Sequence, residues 1–242
     1  MKRFCTFIII TIMAVVTMSG QNSGSVRRPA VAGSFYTSDA GDLKKEVTGF
    51  LASSTKTCSD GKVRAIIVPH AGYVFSGHTA GAGFGYIPED ADYDNIFIIG
   101  PSHNFAFNGA SVYTSGDFLT PLGTVKVNKE TGRKLKESST VFVSRDEVHN
   151  PEHCIEVQLP FIQCHFKNNI PIVPILIGTG NTHLLEAISE TLQPYFNDRN
   201  LFVISSDFSH YPSYDDAIRV DSITMKAILK GDPDNFLSTV RR

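Results

Sequence analysis

Four stretches of the chain are almost continuously apolar: residues 64–69, 95–100, 172–178 and 201–205. Short, unbroken apolar runs of this kind predict strands buried on both faces of a sheet. Between them the period changes. Residues 42–52 carry Leu43, Val47 and Leu51 at spacings of four, which predicts an amphipathic helix. Helices are also predicted at 78–86 (despite its glycines, which read as close helix packing), 129–138, 182–195, 216–229 and 232–240. Residues 155–166 read as a further helix, with Pro160 as a kink or boundary. Residues 110–113 and 124–127 suggest a β-excursion around Pro121-Leu122-Gly123. Residues 53–62 read as a polar loop. Buried strands alternating with helices predict an α/β fold: a single domain from about Arg27 onward, with a mostly parallel central sheet flanked by helices.

The first twenty residues stand apart. Lys2 and Arg3 precede an apolar run from Phe4 to Val16, followed by the small-residue stretch Thr17-Met18-Ser19-Gly20. This is the form of a secretory signal peptide, and the run is short for a transmembrane helix. The expectation is export to a periplasmic or extracellular space if the segment is cleaved, and a cytoplasmic protein otherwise. No stable membrane span is expected after its removal. Composition narrows the class further. With 42% hydrophobic residues, 19% charged residues and a net charge of −2, the chain is neither disordered nor collagenous, and nothing points to a nucleic-acid partner. The four cysteines, Cys5, Cys58, Cys154 and Cys164, match no zinc motif. Cys154 and Cys164 fall in an apolar stretch and read as structural, reduced thiols.

The candidate chemistry gathers where the strands end. His70 follows the first apolar run, His103 the second, and Asp207 and His210 the fourth. Open α/β sheets bind ligands at the carboxyl ends of their strands, so these side chains are placed to meet in one cleft. Imidazole is both a metal ligand and a proton carrier near neutral pH. His70 and His103 are the candidate metal ligands. His210 is the candidate general acid/base. Asp207 is read as its support, as an orienter of an imidazole, or as a cap on the following turn. A second dense cluster runs from His149 to Glu156. There His153 and Glu156, three apart, are expected to share a helix face and to line or support the cleft, while Glu152 suits a helical first turn. His78, His165 and His183 have no partner at useful spacing. No phosphate loop, dinucleotide fingerprint or nucleophile elbow is present.

These residues also carry a resemblance. Arg28-Pro29-Ala30-Val31-Ala32-Gly33-Ser34-Phe35-Tyr36, Pro69-His70-Ala71-Gly72-Tyr73 and Gly100-Pro101-Ser102-His103 are the first of its motifs. Glu152-His153-Cys154-Ile155-Glu156-Val157-Gln158-Leu159-Pro160 and Ser205-Ser206-Asp207-Phe208-Ser209-His210 complete them. In this order they resemble the Memo family, known in prokaryotes as AmmeMemoRadiSam system protein B. The resemblance implies a fold similar to class III extradiol (LigB-type) dioxygenases. It implies His70 and His103 as metal ligands, iron(II) or copper as the metal, His210 at the acid/base position, and Asp207, His153 and Glu156 around the cleft. It also implies a third ligand from a Cys-Gly motif a few residues beyond Val240. This chain has no Cys there, so the sequence reads as a C-terminally truncated copy, incomplete within 27–242 and lacking the last elements of the sheet. Three functions follow. The first is a redox metalloprotein with an unknown small-molecule substrate. The second is a non-catalytic module binding a peptide or anion in the same cleft. The third is a metal-dependent hydrolase with His210 activating water.

Overall fold

The computed structural model describes residues 26–53 and 61–240. In chain order its strands are β1 (Ala65–Val68), β2 (Asn95–Pro101), β3 (Ala110–Val112), β4 (Phe118–Thr120), β5 (Gly123–Val125), β6 (Phe142–Val143), β7 (Ile172–Ile177) and β8 (Asn200–Ser205). Six of them form one sheet in the order β1-β8-β2-β7-β3-β6. β1, β8, β2 and β7 are mutually parallel, while β3 is antiparallel to β7 and parallel to β6. The expected single α/β domain with a mostly parallel sheet is therefore present.

The helices are α1 (Ala40–Ala52), α2 (Tyr73–Gly85), α3 (Lys129–Ser138), α4 (Asp146–His149), α5 (Leu159–His165), α6 (Thr182–Leu192), α7 (Tyr214–Leu229) and α8 (Pro233–Val240). Several start where a polar side chain takes up an orphan N–H: Asp39 accepts from Asp42, Asn128 from Thr131, and Asn181 from His183. The sheet is covered on both faces. Ile96, Ile98, Leu201 and Val203 pack with Leu43 and Val47 of α1, Phe84 of α2 and Phe161 of α5. Phe97, Val173, Ile175 and Phe202 pack on the other side with Leu135 of α3 and Ile188 of α6. Alternate residues of β2 thus enter opposite cores, which explains why its run is apolar without a break. The helical glycines do pack closely: a Cβ on Gly81 would lie 2.7 Å from the Phe50 backbone. That clearance lets α2 press against α1.

Four expectations change. The first apolar run is not buried on both faces, because β1 is the edge strand and Ile67 is 41% exposed. Residues 110–113 do not pair with 124–127. β3 joins the main sheet, and β5 pairs with β4 in a separate antiparallel hairpin. α2 begins at Tyr73, five residues before the expected start, because the Gly72 carbonyl already accepts N–H groups from Phe75 and Ser76. The 155–166 helix is two pieces: a 3₁₀ turn, Glu156–Gln158, runs into α5, and Pro160 sits in the first turn of α5, where no N–H is required. Most of the expected polar loop at 53–62 lies outside the described residues, as do the signal-like segment, Cys5 and Cys58. Among the described residues no helix is long and apolar enough to cross a membrane.

Candidate metal centre

β1, β2 and β8 are parallel, so their carboxyl ends point the same way and their exit loops meet. His70 leaves β1, His103 leaves β2, and His210 hangs from the loop after β8. One donor atom from each lies within 4.8 Å of the others. The rings of His70 and His103 stand edge-on, with centroids 5.1 Å apart. His70 is buried, and its Nε2 has no hydrogen-bond partner. An orphaned buried nitrogen is costly unless something else takes its lone pair. Here it faces two further imidazoles, which is the donor chemistry that borderline divalent metals prefer. The residues present therefore fit a metal ion.

Two carboxylates hold this arrangement. Asp207 Oδ1 accepts the backbone N–H groups of His70 (2.5 Å) and Ala71 (3.1 Å), tying the exit of β1 to the exit of β8. Its Oδ2 stays 3.7 Å from His70 Nε2. Asp207 thus fixes the loop that carries a ligand, and does not cap the turn that follows it. Glu152 does more than a first-turn acid would. It is buried, with Oε2 accepting the His103 N–H at 2.7 Å. Its Oε1 takes the His103 Nδ1 contact at 2.8 Å and the N–H groups of His153 and Cys154 at 2.9 and 3.1 Å. Burial works against the Glu152 charge, but these donors outweigh it and hold the carboxyl below its usual range. Glu152 thus orients His103 from behind, with Oε1 engaged by three donors and Oε2 by the His103 N–H. His103, Glu152 and His153 lie close enough to suggest a second donor set, but they serve the first.

His153 lies against the same space, stacked on His103 with centroids 4.4 Å apart and edge-on to His70 at 5.5 Å. Burial lowers its pKa, with Glu152 pulling the other way. Burial also pushes His70 down to about 4, opposed by Asp207 and reinforced by His103 and His153. His70 is thus a neutral imidazole at neutral pH, the form that donates a lone pair.

Glu156 does not share a helix face with His153, because His153 precedes the 3₁₀ turn that Glu156 begins. Its carboxylate pairs with Arg27 and accepts from Ala30 N–H (2.8 Å), Val31 N–H (3.1 Å) and Tyr36 Oη (2.6 Å). Its role is to clamp the 27–36 segment onto the domain. Arg27 also donates to the His149 and Glu152 carbonyls, so the clamp braces the loop that carries Glu152. His149 is buried against Ser111 Oγ at 3.1 Å, and burial pushes it down to about 3. His165 bonds the Ile87 carbonyl at 2.7 Å, and His183 lies on the surface. Cys154 and Cys164 are free thiols outside both donor sets, and burial raises the pKa of each. Sequence reasoning missed Glu152 as the orienting carboxylate. Its place directly before His153 was the available signal, and it was masked by the resemblance of Asn150-Pro151-Glu152 to a helix start.

The fold and site together define an α/β domain with a histidine cluster of metal-ligand spacing at the carboxyl ends of its parallel strands. The chain belongs to the Memo family: the family model for Memo-like proteins matches residues 27–242. It is 35% identical over 222 residues to a MEMO1 family protein of Thermoplasma volcanium, covering 90% of this chain and 79% of that one. It is 39% identical over 196 residues to a MEMO1 family protein of Thermococcus onnurineus, covering 78% and 67%. A MEMO1 family protein of Saccharolobus solfataricus is 36% identical over 220 residues, covering 85% and 77%.

Proposed function

We propose that this chain binds a divalent transition metal, iron(II) before copper, through His70, His103 and His210, and acts as a redox protein toward a small-molecule ligand. The observation that carries the reading is the convergence of three imidazoles from three strand ends around the unpartnered, buried Nε2 of His70. Three imidazoles suit iron, copper or zinc alike. Iron is preferred because the Memo resemblance implies a fold similar to the non-haem iron dioxygenases. Bound iron would supply a redox-active centre with positions left for exogenous ligands. The protein's own part is to hold the two inner donors rigid, His70 through Asp207 and His103 through Glu152. His210, exposed like His103, would be the third donor.

Metal content after anaerobic reconstitution with Fe²⁺ tests this reading, with the wild type compared against His70→Ala and His103→Ala. The expected result is one ion per wild-type chain that survives desalting, and in both variants an ion so weakly held that desalting removes it. Equal iron in all three would overturn it.

A further inference from the structure

His70 presents Nε2 to the cleft only if its proton sits on Nδ1, and the buried polar groups behind the ring decide this. Gln158 Nε2 lies 2.8 Å from the Pro69 carbonyl and 3.0 Å from Ser205 Oγ. A carbonyl oxygen only accepts, so the amide nitrogen must face Pro69, and Gln158 therefore donates to Ser205 as well. Gln158 Oε1 has no partner that would turn the amide over. Ser205 Oγ lies 2.7 Å from the Cys154 carbonyl, another group that only accepts, so the single hydroxyl proton goes there. His70 Nδ1 is 3.0 Å from the same Oγ. That oxygen has already used its proton and has a lone pair left, so a neutral His70 can only donate to it.

We infer that Ser205 and Gln158 are positioning residues that lock His70 as the Nδ1–H tautomer, with the Nε2 lone pair directed at the metal cleft. Among the described residues, Asp207 is the carboxylate within 4.0 Å of His70 Nε2. Its Oδ2 would favour a proton on Nε2, but at 3.7 Å it is beyond hydrogen-bond reach. The three residues behind the ring come from different elements. Gln158 ends the 3₁₀ turn, Ser205 ends β8, and Cys154 lies in the loop that Glu152 organises. All of these groups are buried, so water does not offer an alternative pattern. His103 is matched from the other side, since its Nδ1–H donates to Glu152 Oε1 and leaves its Nε2 lone pair for the cleft. The inference rests on the metal-binding reading for its purpose but not for its geometry.

Nitrogen-15 NMR of histidine-labelled, chelator-treated protein at neutral pH reads the tautomer directly. The expected His70 signals are a protonated Nδ1 and an unprotonated Nε2. Ser205→Ala should remove the preference, and Ser205→Thr, which keeps the hydroxyl, should restore it. In parallel, Zn²⁺ titration calorimetry should show Ser205→Ala binding about 10-fold or more weakly than wild type, with Ser205→Thr near wild type. A wild-type His70 protonated on Nε2, or an unchanged tautomer and Zn²⁺ affinity in Ser205→Ala, would overturn the inference. A wild type with the expected tautomer that binds neither Zn²⁺ nor Fe²⁺ would instead overturn the metal reading and leave the lock standing.

Discussion

At the scale of single residues, the site depends on charges and lone pairs that are already spoken for. Glu152 accepts from two backbone N–H groups beyond His103 and from His103 twice, yet it is almost fully buried. Removing it leaves those donors without partners in a dry environment. Glu152→Ala should therefore destabilise the protein by about 3 kcal/mol in urea unfolding, while also weakening metal binding. A cost below about 1 kcal/mol would mean that water replaces the carboxylate. Such roles were only partly legible in the sequence. His70, His103 and His210 announce themselves because each closely follows a recognisable strand. Glu152 did not, because an acid after Asn-Pro looks like a helix start. Glu156 did not, because its partner Arg27 lies 129 positions away, and no local pattern encodes such a pair.

At the scale of elements, the buried strands were readable because each is a run long enough to be apolar on both faces. β4, β6 and α4 were not, since elements of two to four residues are too short to show a period. The exposure of β1 was also hidden, because edge position is set by the order of the sheet and not by the strand's own residues. The loop after β8 is the least regular part of the site. Phe208 and Tyr211 both adopt left-handed backbone, with φ of 61° and 60°. β-Carbons are disfavoured there by about 1–2 kcal/mol, so two such residues flanking Ser209 and His210 place backbone strain in the loop that carries His210. Tyr211 is wholly exposed, and its ring meets only the edge of the neighbouring His210 ring, with centroids 6.1 Å apart. Tyr211→Gly should raise the thermal midpoint, by about 1 kcal/mol of stability at most, as read by calorimetry. A fall would show that the ring, and not the backbone, sets the loop.

At the scale of the whole molecule, stability is linked to pH through histidines buried in neutral form. For His149 burial moves the pKa from 6.5 to about 3. Above pH 6.5 the folded and unfolded chains bind the same number of protons at this group, so it has no effect. As pH falls from 6.5 toward 3, only the unfolded chain takes up the proton, and stability declines. The slope from this one residue approaches about 1.4 kcal/mol per pH unit, or about 2 kcal/mol by pH 5. Urea midpoints at pH 7, 6 and 5 should show this decline, and His149→Gln should make it shallower. An identical profile in the variant would assign the acid sensitivity to other groups.

In the cleft, the buried His70 meets His103 and His210 at one point. That point is the central claim. Its most direct test is the X-ray absorption spectrum of the iron-loaded 242-residue chain, in which imidazole rings bound to a metal leave a distinct multiple-scattering pattern. The account predicts two to three imidazoles on the iron, with one ring lost in His70→Ala. A spectrum without an imidazole contribution, or one unchanged in His70→Ala, would contradict it.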